Sequence, residues 1–228
     1  MEYAPVGVFA LLAGLIVDLA GDDPNNIITT LKPLVFYAIT VLIGLAFMIF
    51  IFYPLIIYSF TGVSFKKFLK AIFPAQMLAF STSSSAATLP LTMKRVEKNL
   101  NVSEEVTSFV CPLGATINMD GTSIHQAISA VFIAQAFGQD LTLSDQLVIV
   151  VTATLSSIGA AAVPGAGLIM LVIVLGAIGI DPQGLALIIA IDRPLDMCRT
   201  MVNVTGDATV ASVVASTEGE KIKFKKDE

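Results

Sequence analysis

The feature that most constrains this chain is the run from Asp192 to Asp207, Asp-Arg-Pro-Leu-Asp-Met-Cys-Arg-Thr-Met-Val-Asn-Val-Thr-Gly-Asp, set inside an apolar segment. Gly184-Leu-Ala-Leu-Ile-Ile-Ala-Ile191 precedes it and Ala208-Thr-Val-Ala-Ser-Val-Val-Ala215 follows. Asp192, Asp196, Arg199, Asn203 and Asp207 step by four, three, four and four, so one helix face carries all of them. Ionisable groups at membrane depth are costly and mark functional sites by default. A face with one guanidinium, three carboxylates and an amide suits a zwitterionic or anionic solute together with small cations. The plainer alternative is a salt-bridge ladder that only holds helices together.

Composition decides the compartment. The 228 residues are 55% hydrophobic and 14% charged, against about 25% charged in soluble domains, and mean hydropathy is +0.84. Several apolar stretches exceed the roughly 20 residues that span a bilayer. Cys111 and Cys198 both lie in apolar segments and read as free thiols rather than a disulfide framework. Met1-Glu-Tyr-Ala-Pro lacks the basic start of a signal peptide.

In chain order, residues 4–20 are one short apolar span, followed by the polar turn Gly21-Asp-Asp-Pro-Asn-Asn26. Residues 33–63 carry no charge and form a long transmembrane helix. Residues 1–63 are thus two membrane helices, the first truncated, and residues 64–216 are a transport core. Within the core, 66–98 is a hairpin with Ser81-Thr-Ser-Ser-Ser-Ala-Ala-Thr-Leu-Pro90 at its tip. The helix 106–138 is broken at Asn118-Met-Asp-Gly-Thr122. A second hairpin, 146–180, has the tip Gly159-Ala-Ala-Ala-Val-Pro-Gly-Ala-Gly167. The charged helix 183–216 carries Asn-Val-Thr-Gly-Asp and is expected to be broken as well. Residues 217–228 are a basic cytoplasmic tail. Irregular backbone at membrane depth is tolerated only beside protein or a water-filled cavity. Interrupted segments at matching positions of two halves point to a secondary transporter's binding site. The second pair echoes the first weakly, as inverted repeats.

Basic residues set the orientation. Lys66, Lys67, Lys70, Lys94, Arg95 and Lys98 flank the first hairpin, and four more lysines stand in the tail. Both regions belong in the cytoplasm. The first hairpin therefore enters and returns on the cytoplasmic side, and the second dips in from outside.

Ser83-Ser84-Ser85 either pack helices or aim hydroxyls and free N–H groups at an anion. Asp120 and Asp207, each near an Asn and a Gly, look like a cation cage. Asp120 paired with Arg193 is the alternative, and Arg193 itself stays unassigned. Val163-Pro-Gly-Ala-Gly167 is a tight turn that permits close backbone approach. Arg199 can grip a carboxylate bidentately, which Lys cannot do. Asp196 either holds a substrate ammonium or balances Arg199. His125, the single histidine, reads as structural or as a proton carrier. A serine hydrolase built on Ser84, His125 and Asp120 lacks a Gly-x-Ser-x-Gly elbow, so no enzyme is expected. A purely structural or channel-like domain would not need Asp and Arg interleaved on one helix face.

Four motifs, Ser83-Ser-Ser-Ala-Ala-Thr-Leu-Pro, Gly114-Ala-Thr-Ile-Asn-Met-Asp-Gly-Thr, Ser157-Ile-Gly-Ala-Ala-Ala-Val-Pro-Gly-Ala-Gly and Asp196-Met-Cys-Arg-Thr-Met-Val-Asn-Val-Thr-Gly-Asp, occur in this order. In them the chain resembles the dicarboxylate/amino acid:cation symporter family, the glutamate and aspartate transporters. The resemblance implies an all-α membrane protein, an elevator-type transport domain with two re-entrant hairpins. It implies that Arg199 binds the side-chain carboxylate of aspartate or glutamate and Asp196 the amino group. Thr122, Thr200, Asn203, Ser85 and the backbone at Val163 and Gly167 would complete the substrate site. One sodium ion (Na+) would be held by Asp207 with Gly114, Asn118 and Asn203. A second would use Thr116, Ser157, Ile158 and Ala160, and a third Asn118 and Asp120 with residues of an earlier helix that this chain lacks. It also implies a homotrimer in the full-length protein, a place in the cell membrane (a prokaryotic-like inner membrane), and no nucleic-acid partner. A proton-coupled glutamate or C4-dicarboxylate symporter is the alternative.

The chain departs from the family pattern. Archaeal members carry Arg where Ser83 stands, and animal relatives carry it at the position of Met197. Gln126 stands where animal relatives have the Glu tied to potassium counter-transport. Met1-Glu-Tyr-Ala-Pro resembles a point inside the family's fifth helix, so the chain is expected to be a fragment without the scaffold helices.

Overall fold

The computed structural model describes residues 25–225, with side chains from Lys32 onward. The expected first span and most of the turn after it lie outside the described residues. Among the described residues all regular structure is helical.

Helix α1 (Asn25–Phe47) runs through one π-helical turn, Met48–Phe52, into α2 (Tyr53–Thr61). The wide turn has a local cause. Pro54 has no N–H for the carbonyl four residues back, and the Tyr53 N–H reaches Met48 O, five residues back. This turn points Tyr53 into the protein, where it is buried. The stretch Lys32–Thr61 is long and apolar enough to cross a bilayer by length and composition.

Helices α3 (Phe65–Thr82) and α4 (Ser85–Leu100) pack against each other around a two-residue reversal. Ser83 ends α3 in the left-handed region at φ 52, and Ser84 caps α4 by accepting from Ala87 N–H at 3.1 Å. Helix α5 (Glu104–Ile117) stops at Asn118-Met119, and α6 (Asp120–Ala136) resumes at once. Helix α7 (Leu143–Ile158) starts in a capping box between Thr142 and Asp145. The Thr142 hydroxyl and N–H hold the Asp145 carboxyl below its ordinary range. Helix α8 (Ala166–Ala177) follows the turn at 159–165, and a 3-10 turn (Pro182–Leu187) leads into α9 (Ile189–Thr217).

Helix α9 is the axis of the structure and touches α1 through α6. Its small residues permit this. A Cβ on Gly206 would come within 2.8 Å of the Tyr53 hydroxyl. Contrary to the expectation of a second broken helix, α9 is continuous through Asn203–Asp207. The reason is local: Thr205 and Thr209 return their hydroxyls to carbonyls four residues back, at 2.7 and 2.8 Å. Asn203 finds a partner on α6 and Asp207 finds one in Asn118, at the α5–α6 break, so no polar group needs the helix to open.

Polarity is inverted relative to a soluble protein. Asp192, Asp196, Arg199, Asn203 and Asp207 are buried, while Phe36, Ile43 and Phe47 of α1 and Leu147, Val151 and Leu155 of α7 are exposed. An exterior of large apolar side chains is what a lipid solvent requires. At one end the tail folds beside the α4–α5 junction. Lys223 N–H donates to Leu100 O, Lys225 N–H to Asn99 O, and Glu220 accepts from Ser103. Lys94 and Lys98 of α4 therefore share that end with Lys221, Lys223 and Lys225.

Candidate functional site

Two short-loop tips meet beside the middle of α9. The Ser84 hydroxyl donates to Ala162 O at 2.7 Å, and the Ala86 N–H reaches the same oxygen at 3.3 Å. Behind this junction lies a cavity of about 20 Å³, roughly the space of one water. Ser85, Thr122, Val163, Gly167, Asp196, Arg199, Thr200 and Asn203 all line it, with Ser83, Met119, Ala161 and Ala162. Every residue that the resemblance proposed for substrate faces this one space.

Arg199 is 2% exposed. Its Nε donates to Asp196 Oδ1 at 2.8 Å, and its Nη1 lies 3.3 Å from Asp192 Oδ1 and 2.9 Å from His125 Nδ1. Its Nη2 is buried without a hydrogen-bond partner. The Ser83 hydroxyl, on the same cavity, is also buried and unpartnered. Buried polar groups are nearly always satisfied, so two orphans on one small cavity mark a place for an acceptor. Gly167 gives close room here: a Cβ on it would lie 3.0 Å from Arg199 Cζ, a tight contact.

Asp196 does more than balance Arg199. Its Oδ2 accepts the Gly165 N–H at 2.9 Å and so ties α9 to the α7–α8 turn. Arg193, which the sequence left unassigned, lies 3.8 Å from the same oxygen. The alternative pairing of Arg193 with Asp120 is not formed. Thr200 spends its hydroxyl on Asp196 O.

A second polar cluster surrounds the α5–α6 break. Asn118 Nδ2 donates to Asp207 Oδ1 at 3.2 Å, and the Tyr53 hydroxyl donates to Asp120 Oδ2 at 2.8 Å. Gly114 leaves room for the Asp207 carboxylate, since a Cβ there would be 2.6 Å from Oδ1. Asn203 joins the two clusters: its Oδ1 accepts Gly121 N–H at 2.8 Å and its Nδ2 donates to Thr122 Oγ1 at 3.2 Å. Neither Asp120 nor Asp207 has a Lys or Arg ion pair among the described residues. Of the remaining residues proposed for sodium, Ser157 and Ala160 are buried at the end of α7, whereas Thr116 and Ile158 are exposed. Thr116 gives its hydroxyl to Leu113 O and Ser157 gives its own to Thr154 O. Helices α5 and α7 do touch, and Ala160 N–H donates to Ser157 O at 3.2 Å, but no side-chain hydrogen bond among the described residues ties Thr116 to the other three.

Sequence reasoning missed three side chains of the site: Tyr37, Tyr53 and Ser129. Tyr37 bonds His125 and Ser129 at 3.0 and 2.8 Å. It also undervalued His125, which is fully buried. A signal was available, because Thr122, His125, Gln126 and Ser129 form a polar stripe at helical spacing along α6. Ser84 is committed to Ala162 and Ala87, and His125 to Arg199 and Tyr37. Ser84 and His125, the pair a serine hydrolase would need, are thus not bonded to each other.

The Sodium:dicarboxylate symporter family model matches residues 1–217. The chain belongs to this family. It is 44% identical over 214 residues to an excitatory amino acid transporter of Caenorhabditis elegans, covering 94% of this chain and 42% of that protein. It is 44% identical to excitatory amino acid transporter 1 of Ambystoma tigrinum, covering 94% and 38%. With excitatory amino acid transporter 5 of Homo sapiens it shares 42% identity over 93% and 37%. The chain thus spans about two fifths of the length of these relatives. The members of this family are membrane symporters rather than enzymes.

Proposed function

We propose that this chain forms the solute-binding part of a sodium-coupled symporter for acidic amino acids, aspartate or glutamate, in the cell membrane. The observation that carries the reading is the buried Arg199, whose Nη2 is unpartnered and which lines a cavity that Asp196 also lines. A substrate carboxylate supplies the missing acceptor, and a charge-assisted bond there is strong. Asp196 retains lone pairs for an ammonium, since each carboxylate oxygen accepts two bonds.

Sodium enters as a co-transported substrate. Asp207 is buried and Asp120 half-buried, neither with a basic partner among the described residues, and a buried carboxylate is costly unless a cation meets it. Asn118, Asn203 and the carbonyls freed where α5 stops are the oxygen donors a hard cation prefers. The pairs α3–α4 and α7–α8 are the two re-entrant hairpins. Helices α7 and α8 have 16 and 12 residues, short of the roughly 20 needed to span. Each pair precedes a polar-faced segment, which supports the inverted-repeat and elevator reading. The grouping of lysines at one end supports placing that end in the cytoplasm. In the full-length protein the part assembles on scaffold helices as a homotrimer.

Isothermal titration of aspartate into the chain in lipid nanodiscs, with and without sodium, tests this. Affinity that rises with sodium is expected, and affinity indifferent to sodium overturns the coupling. A second reading, uptake of C4-dicarboxylates, is favoured by Asp196 already holding Arg199 and Gly165. Succinate displacing aspartate would select it.

A further inference from the structure

We infer that His125 is a positioning residue that holds Arg199 as a hydrogen-bond acceptor in its neutral, Nε2-protonated form, and is not a proton carrier. The inference rests on the assignment of Arg199 to a substrate carboxylate only for its functional consequence; the hydrogen-bond logic is independent of it.

A guanidinium nitrogen can only donate. Arg199 Nη1 lies 2.9 Å from His125 Nδ1, so Nδ1 must present its lone pair and the ring proton sits on Nε2. The rest of the chain of bonds agrees in direction. The Ser129 hydroxyl donates to His125 O at 2.6 Å. The Tyr37 hydroxyl then donates to Ser129 Oγ at 2.8 Å. That leaves Tyr37 oxygen, 3.0 Å from Nε2, and Asp192 Oδ1, 3.3 Å from it, to accept the ring proton. The ring proton thus has two acceptors within reach, and Ser129 Oγ stands farther off, 3.5 Å from Nε2. A second proton, on Nδ1, would face the guanidinium with nothing to receive it.

The charged and titratable groups around His125 are Arg199 and Asp192 from α9 and Tyr37 from α1. Helix α8 carries no titratable residue, and the acid of α7, Asp145, is exposed in the capping box at that helix's start. The two contacts on Nη1, with His125 and Asp192, and the contact of Nε with Asp196 fix the plane of the guanidinium. Nη2 is the nitrogen left over. His125 thereby helps decide which nitrogen of Arg199 is left for a further acceptor.

Because His125 is the single histidine of the chain, ring-labelled 15N histidine reports this residue alone. The expected spectrum at about pH 7 is that of a neutral ring protonated at Nε2, with or without aspartate. An Nδ1-protonated ring, or an imidazolium that forms when aspartate binds, overturns the inference. In parallel, His125→Leu removes the acceptor and lowers aspartate affinity by about tenfold. His125→Asn returns an acceptor at the place of Nδ1 and recovers a large part of that loss. Leu equal to the wild-type chain, or Asn no better than Leu, overturns the positioning role. Should Leu fail to fold, Asn and the labelled ring decide. If the wild-type chain binds no aspartate while the ring is neutral and Nε2-protonated, the substrate reading has failed and the placement of Arg199 by His125 stands.

Discussion

The hydroxyl of Ser84 donates to the carbonyl of Ala162 at 2.7 Å across 78 residues of sequence, and so latches the tip of α3–α4 to the turn between α7 and α8. The same oxygen atom of Ser84 accepts from Ala87 N–H and caps α4. One small side chain thus joins local helix initiation to closure over the cavity that Arg199 lines.

Ser84→Ala removes both bonds. The lost cap and tip contact together cost about 1–2 kcal/mol. Aspartate should leave faster from the variant than from the wild-type chain, with little change in how fast it arrives. Stopped-flow release from nanodiscs reads this, and an unchanged release rate would show that the latch does not guard the cavity.

Gly114→Ala tests the cation cluster without touching a charge. Its Cβ would stand 2.6 Å from Asp207 Oδ1, so the carboxylate must shift. Overpacking of this kind costs about 1–3 kcal/mol. Sodium should then be needed at higher concentration to support aspartate binding. Gly176→Ala is the control, because a Cβ on Gly176 meets nothing within 4 Å. It should leave sodium dependence unchanged and leave stability equal or higher by about 0.5–1 kcal/mol. Equal sodium curves for Gly114→Ala and the wild-type chain would detach Gly114 from the ion site.

What could be read from the sequence was local. The polar face from Asp192 to Asp207 follows from helical spacing alone. The stop at Asn118-Met119 follows from an Asn-Met-Asp-Gly run inside an apolar segment. The reversal at Ser83–Ser84 follows from hydroxyls clustered between two basic flanks. What could not be read depends on contacts between distant segments. The continuity of α9 rests on Asn203 finding a partner on α6 and Asp207 one at the α5–α6 break. Tyr37 and Tyr53 sit in a charge-free span and look like lipid-facing aromatics. The π-turn at Met48–Phe52 and the packing of α1 on α6 turn them inward. The Ser84–Ala162 latch joins residues that no spacing rule connects.

Arg199→Cys should abolish binding of acidic substrates and spare the fold's helices. Among the described residues lining the cavity, the guanidinium is the one cation. Removing one partner of a buried charged pair costs about 3–5 kcal/mol, a hundredfold or more in affinity. The variant also takes the guanidinium away from Asp192 and Asp196, so some thermal stability goes with it. Titration with aspartate and with serine separates the effects. Retained aspartate affinity would overturn the assignment, and a gain for serine would show that the cavity still accepts an amino acid without a side-chain carboxylate.

Asp207→Asn should weaken sodium binding first and aspartate binding second. Asp207 is buried against Gly114 and Asn118, with no basic partner among the described residues. Its charge is therefore the strongest attraction available to a cation there, and the amide keeps the shape but loses the charge. Asn203 ties this cluster to Thr122 and the cavity, so occupancy of one favours order in the other. Linkage then requires that sodium and aspartate raise each other's affinity by the same factor. Arg199 and Asp196 are untouched, so the solute cavity persists. The expected result is aspartate affinity that is poor at moderate sodium and partly restored at high sodium. Titrating aspartate at several sodium concentrations, in both proteins, makes the comparison. Identical sodium dependence would remove Asp207 from the ion site and leave this part of the helix face as packing alone.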